Sequence, residues 1–405
     1  MERLIGILGI FVLLAVAYAM SNNRRIIPWR LVGLGLGLQL VFAIFILKTP
    51  LGHPFFGAID TGIKKLLSFS DVGSDFLFKS FGTGVVEGPL MNFAFRVLPT
   101  IIFFSALMAV LYHLGVMQFF IKWIARAMQK TMGTSGSETL SVSANIFVGQ
   151  TEAPFIVRPF IDKMTRSELM AVMTGGFATV AGGVMAIYVK ILTDIPGIAG
   201  HLMAASIMSA PAALVIAKII YPETEDSATM GDLKIDVEKP AGNVMEAITL
   251  GTGDGLKLAV NVAAMLLAFL SLIAMVNALL GTVGLSMEMM LGWVFRPLAW
   301  TMGIPWAESG IMGTLMGEKI ILTELIAYSD LSELRAAGQL SDRTAIIASY
   351  ALCGFANFAS IGIQVGGIGG LAPGRRKDLA KLGLKAMIGG ALASWLTATI
   401  AGILI

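Results

Sequence analysis

Charge is what this sequence lacks. Only 14% of its 405 residues are Asp, Glu, Lys or Arg, whereas a soluble domain carries about 25%. With 56% hydrophobic residues and a mean hydropathy of +0.81, the chain reads as a polytopic membrane protein. There is one cysteine, Cys353, which excludes an intrachain disulfide and a thiolate metal cluster. The three histidines, His53, His113 and His201, are too scattered to mark a metal site. The net charge of +3 comes from short basic clusters between apolar runs and makes no case for a nucleic-acid partner. The first apolar run has Arg3 beside Glu2 and no clear small-residue cleavage site after it. It therefore reads as a spanning helix and not as a signal peptide.

What is present is a succession of apolar runs. They predict an all-α polytopic membrane protein with eight transmembrane helices, two re-entrant hairpins and interfacial helices, arranged as an inverted repeat. The expected spans are Ile5–Met20, Leu31–Leu47, Phe93–Leu114, Leu169–Leu192, Ile198–Ile220, Leu256–Leu280, Thr344–Leu371 and Ala386–Ile405. Residues 51–90 are mixed and fit surface-lying helices. Phe119–Met132 places Lys122, Arg126 and Lys130 on one face, as an interfacial helix does, and Met287–Met302 resembles it. Thr139–Ile161 and Pro305–Tyr328 are short broken hairpins. Tyr221–Glu246 is the most polar stretch and reads as a flexible linker. The clusters at Arg24, Arg25 and Arg30, and at Arg375, Arg376 and Lys377, mark the cytoplasm by the positive-inside rule. Both termini then lie outside.

The chain is organised around Gly149-Gln150-Thr151-Glu152-Ala153-Pro154. An amide, a hydroxyl and a carboxylate stand side by side at membrane depth, where an ionisable group costs roughly 2.5–3.5 kcal/mol. The flanking Gly149 and Pro154 break helix geometry, which a bilayer tolerates only inside protein or beside a watery cavity. The pattern recurs. Arg126, Thr131-Met132-Gly133 and Glu138 match Arg296, Thr301-Met302-Gly303 and Glu308. Thr151-Glu152 matches Thr323-Glu324, and Gly176-Phe177-Ala178 matches Gly354-Phe355-Ala356. Antiparallel repeats with interrupted segments in corresponding positions point to a transporter site near the midplane.

Glu152 and Glu324 would face each other there, joined by Gln150, Thr151, Asn357 and Ser360. The matched positions hold no basic residue, which argues against a phosphorylated or carboxylate substrate. They suit a neutral, many-hydroxyl substrate with a polar ring, against which Phe355 offers an aromatic face. Blander roles stand beside these: Glu138, Glu308 and Glu318 as caps or ion-pair partners, Asn357 as a helix–helix hydrogen bond, and Phe355 as packing. Asn145 and Val148, with Thr179 and Val180, could supply oxygens for a sodium ion. The coupling ion could equally be a proton taken by Glu152 or Glu324.

NIFVGQTEAPFIVRPF (Asn145–Phe160), GEKIILTELIAY (Gly317–Tyr328) and CGFANFASIGIQVGGIGGLAP (Cys353–Pro373) resemble the diagnostic segments of the concentrative nucleoside transporter family. The similarity runs over essentially the whole chain and follows the sodium-coupled bacterial members. It implies a symporter, not an enzyme, that imports a nucleoside such as uridine or adenosine across a bacterial inner membrane with Na+ as coupling ion. It implies a homotrimer with a scaffold and a mobile transport domain that moves as an elevator. The boundaries would be 1–118 and 255–284 for scaffold, 119–220 and 285–405 for transport, and 221–254 for the linker. Carried over, Gln150, Thr151 and Glu152, with Gly149 beside them, would contact the nucleobase. Glu324, Asn357 and Ser360 would bind the ribose, Phe355 and Val184 would flank the substrate, and Asn145, Val148, Thr179 and Val180 would hold sodium. The family's second hairpin usually reads Asn-Glu, where this chain has Thr323-Glu324. Its sodium-site serine is here Thr179. Proton-coupled members tend to read GQSE, and this chain reads GQTE. A proton-coupled symporter is the alternative, and an intramembrane enzyme acting on nucleosides the remote one.

Overall fold

A backbone in hydrocarbon must close its hydrogen bonds internally, and every regular element among the described residues is helical. The computed structural model describes residues 2–49, 54–65, 98–230 and 241–405. The N-terminal part consists of α1 (Glu2–Ala19), α2 (Trp29–Lys48) and α3 (residues 54–65). Next come α4 (Leu98–His113) and α5 (Val116–Met132), bent by 73° at Gly115, where φ is +85°. The first hairpin is α6 (Gly136–Ala144) with the single turns α7 (Ala153–Ile156) and α8 (Arg158–Ile161). It leads into α9 (Arg166–Ala178), α10 (Gly182–Ile191) and α11 (Ile198–Ile220). After α12 (Val244–Gly281) and α13 (Met287–Thr301), the second hairpin is α14 (Trp306–Ile321) and α15 (Glu324–Ala336). The chain closes with α16 (Asp342–Leu352), α17 (Phe358–Leu371) and α18 (Arg376–Leu404).

Several expectations need correction. The span at Leu169–Leu192 is long and apolar enough to cross a membrane as Arg166–Ile191, but its helix is interrupted: α9 stops at Ala178, and Thr179 is extended (φ −120°, ψ 167°) before α10. The span at Thr344–Leu371 divides at Cys353–Asn357. A hydropathy window averages over such short breaks and cannot register them. The sixth helix starts not at Leu256 but at Val244, where Asn243 caps it by accepting from Glu246 N. The second hairpin runs on to Ala336. By length and apolar composition, four described stretches suffice to cross a membrane, or five if the bent α4–α5 pair is one span. The surface-helix expectation for 66–90, the start of the third span at Phe93 and linker residues 231–240 lie outside the described residues.

Residues 221–230, expected to be flexible, are fastened to the first hairpin. Gly136 N donates to Thr229 O (2.8 Å), and Ser227 Oγ donates to Glu168 Oε1 (2.6 Å). Ser135 and Glu138 form a capping box on α6, and Thr165 and Glu168 form another on α9. Glu138 thus has the structural role open to it from sequence, and it also pairs with Lys218 at 2.7 Å with both side chains almost fully buried. Helices α18 and α11 form the centre, with α18 packed on α9, α1, α16 and α17. Close approach at the α9–α18 crossing depends on Gly390, where an added Cβ would come within 2.3 Å of Phe177 Cβ. On α2, Trp29, Leu34, Leu40, Val41 and Phe45 are exposed, as a lipid-facing surface requires.

Removing one partner of a buried ion pair strands the other, at a cost of about 3–5 kcal/mol. Lys218→Met is expected to lose stability on that scale, and the double variant with Glu138→Gln is expected to regain most of it. Denaturant unfolding in detergent micelles measures both.

Candidate functional site

The two hairpin tips and the two span breaks are brought together by hydrogen bonds. Glu324 begins α15 and is buried at 5% exposure. Tyr188 OH donates to its Oε1 (2.7 Å), and Asn357 Nδ2 donates to its Oε2 (2.9 Å). Asn357 also caps α17, its Oδ1 accepting from Ser360 N (2.9 Å). Ser360 Oγ accepts from Gln150 Nε2 (3.3 Å). Gln364 Nε2 then donates to Gln150 Oε1 (3.0 Å) and to Met173 O (3.1 Å). One polar chain therefore runs from the second tip, along the start of α17, to the first.

The backbone around it is held closely. Lys319 is fully buried and donates to Ala351 O (2.9 Å) and Cys353 O (3.0 Å). A cation at the end of α16 complements that helix's C-terminal dipole. Gly354 lies at φ +104°, where a Cβ would meet Phe177 O at 2.6 Å; only glycine fits. Tyr188 and Tyr328 rings stand 4.4 Å apart. Phe355 is half-buried and Val184 buried.

Glu152 does not join this chain. It is exposed, and its carboxylate folds back over Gly149, where an added Cβ would lie 2.0 Å from Oε2. Thr151 packs against Gly367 of α17, whose added Cβ would lie 2.9 Å from Thr151 Cγ2. Thr323 Oγ1 is buried with no hydrogen-bond partner and does not cap α15. Tyr188, Lys319 and Gln364 are given no role by the sequence alone. Lys319 and Gln364 carried a usable signal, a polar side chain in an apolar run; Tyr188 carried none.

The oxygens considered for sodium lie at the first tip and the first break. Gly182 N donates to Phe147 O (3.0 Å), tying the two together. Asn145 is buried at 1% exposure; its Nδ2 donates to Ser141 O (3.2 Å), while its Oδ1 has no donor. Thr179 Oγ1 donates to Gly175 O (3.0 Å), which leaves its own lone pairs as acceptors. Val148 and Val180 lie in interrupted backbone, outside any helix. An orphaned buried amide oxygen and a threonine hydroxyl, on two interrupted segments joined by that bond, offer oxygen donors of the kind an alkali-metal ion takes.

Residues 201–402 match the family described as Na+ dependent nucleoside transporter C-terminus, residues 8–81 its N-terminus, and residues 94–194 the family described as Gate, nucleoside recognition. The chain is 44% identical over 416 residues to an uncharacterized transporter of Haemophilus influenzae, covering 100% of this chain and 98% of that one. It is 43% identical to sodium/nucleoside cotransporter 1 of Rattus norvegicus over 100% of this chain and 64% of the relative. The structure of CNTnw in an inward-facing substrate-bound state matches with a TM-score of 0.91 at 44% identity, over 100% of this chain and 98% of that one. This chain belongs to the concentrative nucleoside transporter family. The transporter is a multi-pass membrane protein and not an enzyme.

In this transporter Gln364 holds Gln150 in place without lying at either tip. Gln364→Leu leaves Gln150 Oε1 and Met173 O without that donor, and an unsatisfied buried acceptor costs about 1–3 kcal/mol. Nucleoside affinity, measured by calorimetry on the purified transporter, is expected to fall about tenfold.

Proposed function

We propose that the protein is a sodium-coupled symporter that imports nucleosides across the bacterial inner membrane. The observation that carries this reading is the polar chain from Glu324 through Asn357 and Ser360 to Gln150. It offers a carboxylate, amides and hydroxyls with no cation among its members, and so suits a neutral polyhydroxyl ligand. Glu324, Asn357 and Ser360 take the ribose hydroxyls, each of which can donate to the carboxylate and accept from the amide. Gln150 and Thr151 face the nucleobase, with Glu152 and Gly149 at the open edge of the tip. Phe355 and Val184 flank the rings.

Sodium is held by Asn145 and Thr179 side chains and by Val148 and Val180 carbonyls. The orphaned Asn145 Oδ1 supports this assignment. Because the same tip carries Asn145 and Gln150, an ion bound there orders the substrate side, and the two ligands favour one another's binding. The element order α5 to α11 recurs as α13 to α18, which supports the inverted repeat and a site between its halves. In this reading the hairpins and broken helices move as one body against a scaffold that contains α4 and α12, in a homotrimer with eight spans and both termini outside. Residues 1–118 and 244–284 form the scaffold, 119–220 and 285–405 the transport body, and 221–243 join the two repeats.

Uptake of labelled uridine and adenosine into proteoliposomes is expected to require an inward sodium gradient and to vanish when choline replaces sodium. Thr179→Val removes one ligand and is expected to raise the half-maximal sodium concentration about tenfold, given the 1–3 kcal/mol value of such a bond to a charge. Equal uptake in choline would contradict sodium coupling.

A further inference from the structure

A second polar feature lies in the same hairpin, away from the tip. Between α13, α14 and α15 opens a cleft of about 480 Å³ lined by Glu288, Glu318, Asp330 and Glu333, with Thr314 and Gln339 beside them. Among the described residues no lysine, arginine or histidine lines it. The cations on the surrounding elements are engaged elsewhere. Lys319 of α14 donates to the end of α16. Arg296 of α13 lies over the Trp306 ring at 4.2 Å. Arg335 of α15 pairs through Nη2 with Asp342 of α16 at 2.8 Å, its buried Nη1 having no partner, and it is not among the lining residues. Arg343 of α16 donates to Gly303 O and Gly402 O. Lys190 of α10 is not part of the lining.

Within the cleft, Glu318 is 4% exposed, and its Oε2 is buried with no hydrogen-bond donor. Asp330, on the other limb of the hairpin, lines the same cleft, and the two carboxyls interact directly. Glu333 and Glu288 add negative charge around Asp330. Glu288 has donors of its own, Asn277 Nδ2 at 2.8 and 3.0 Å. Two carboxylates in contact, one of them buried, cannot both remain ionised without a counter-charge. A metal ion would need more ligands: among the described residues no group of three or more His, Cys, Asp or Glu converges closely enough to hold one. A single proton needs only one oxygen from each carboxyl.

We propose that Glu318 and Asp330 form a proton-binding site in the second hairpin, holding one proton between the two carboxyl groups. The proton comes from water in the cleft and returns to it; no other bond forms or breaks. Glu318 is on one limb of the hairpin and Asp330 on the other, and the tip between them carries Glu324. The bound proton clasps the limbs. Its departure sets two negative charges face to face and drives them apart, so occupancy of the site biases how firmly the tip is closed.

Infrared difference spectra of the purified full-length protein in lipid nanodiscs test the site without any transport assay. At neutral pH the wild type is expected to show a protonated-carboxyl stretching band that both Glu318→Gln and Asp330→Asn remove. A wild type without the band, or a band retained in either folded variant, overturns the proposal. The effect on the tip rests on the transport reading and is measured separately. Uridine uptake at saturating sodium is expected to fall several-fold from mildly acidic to alkaline pH in the wild type and to lose that dependence in Glu318→Gln. Matching profiles for wild type and variant would overturn the clasp while leaving nucleoside transport itself intact.

Discussion

A buried carboxylate held by two neutral donors is the interaction on which the rest of this structure depends. Glu324 takes one bond from Tyr188 of α10 and one from Asn357 at the start of α17. Those donors come from the two broken spans, so a single side chain ties the second tip to both interruptions. Neutral donors stabilise the carboxylate without cancelling its charge. It therefore remains a strong acceptor for hydroxyl groups, which is what a site for a polyhydroxyl ligand needs. The nearest buried ammonium, Lys319, spends its bonds on the carbonyls of Ala351 and Cys353. It fixes the backbone from which Asn357 is presented and makes no direct bond to the carboxylate.

The second constraint is that broken backbone at membrane depth must be enclosed. Enclosure here relies on small residues. Gly354 lets the second break press against Phe177 and Ala178 beside the first, and Gly390 lets α18 close over the same pair. At the base of the first hairpin the enclosure is ionic and polar, with Glu138 and Lys218 buried together and Ser227 and Thr229 bonded to Glu168. The hairpin is tied down at its root and interrupted at its tip.

Much of this was legible from the residues. The helices at Phe119–Met132 and Met287–Met302 were, and the first is amphipathic with Gly133 at φ +68° stopping it. So was Ile198–Ile220, which matches the apolar run end to end. Gln150, Glu324, Asn357 and Ser360 stood out as polar groups in apolar surroundings, and the structure joins them in one chain. The breaks at Thr179 and Cys353–Asn357 were not legible, because each lies inside a run that stays apolar on average. Tyr188 was not, because a tyrosine in a membrane helix looks like packing until its hydroxyl is given a partner. The expectation that Glu152 would face Glu324 treated symmetry of sequence as symmetry of contact. Glu152 instead folds over its own loop, while Glu324 is bonded across to α10 and α17.

The claim that matters most is that Glu324 is the substrate's anchor. Calorimetric titration of uridine into purified wild-type protein and Glu324→Gln, both in sodium, tests it most directly, with thermal melting of the same samples as the check on folding. A hydroxyl bonded to a buried carboxylate contributes about 1.5–3 kcal/mol. Uridine affinity is therefore expected to fall about tenfold to a hundredfold or more in the variant while melting stays close to that of the wild type. Wild-type affinity in a folded Glu324→Gln would contradict the account.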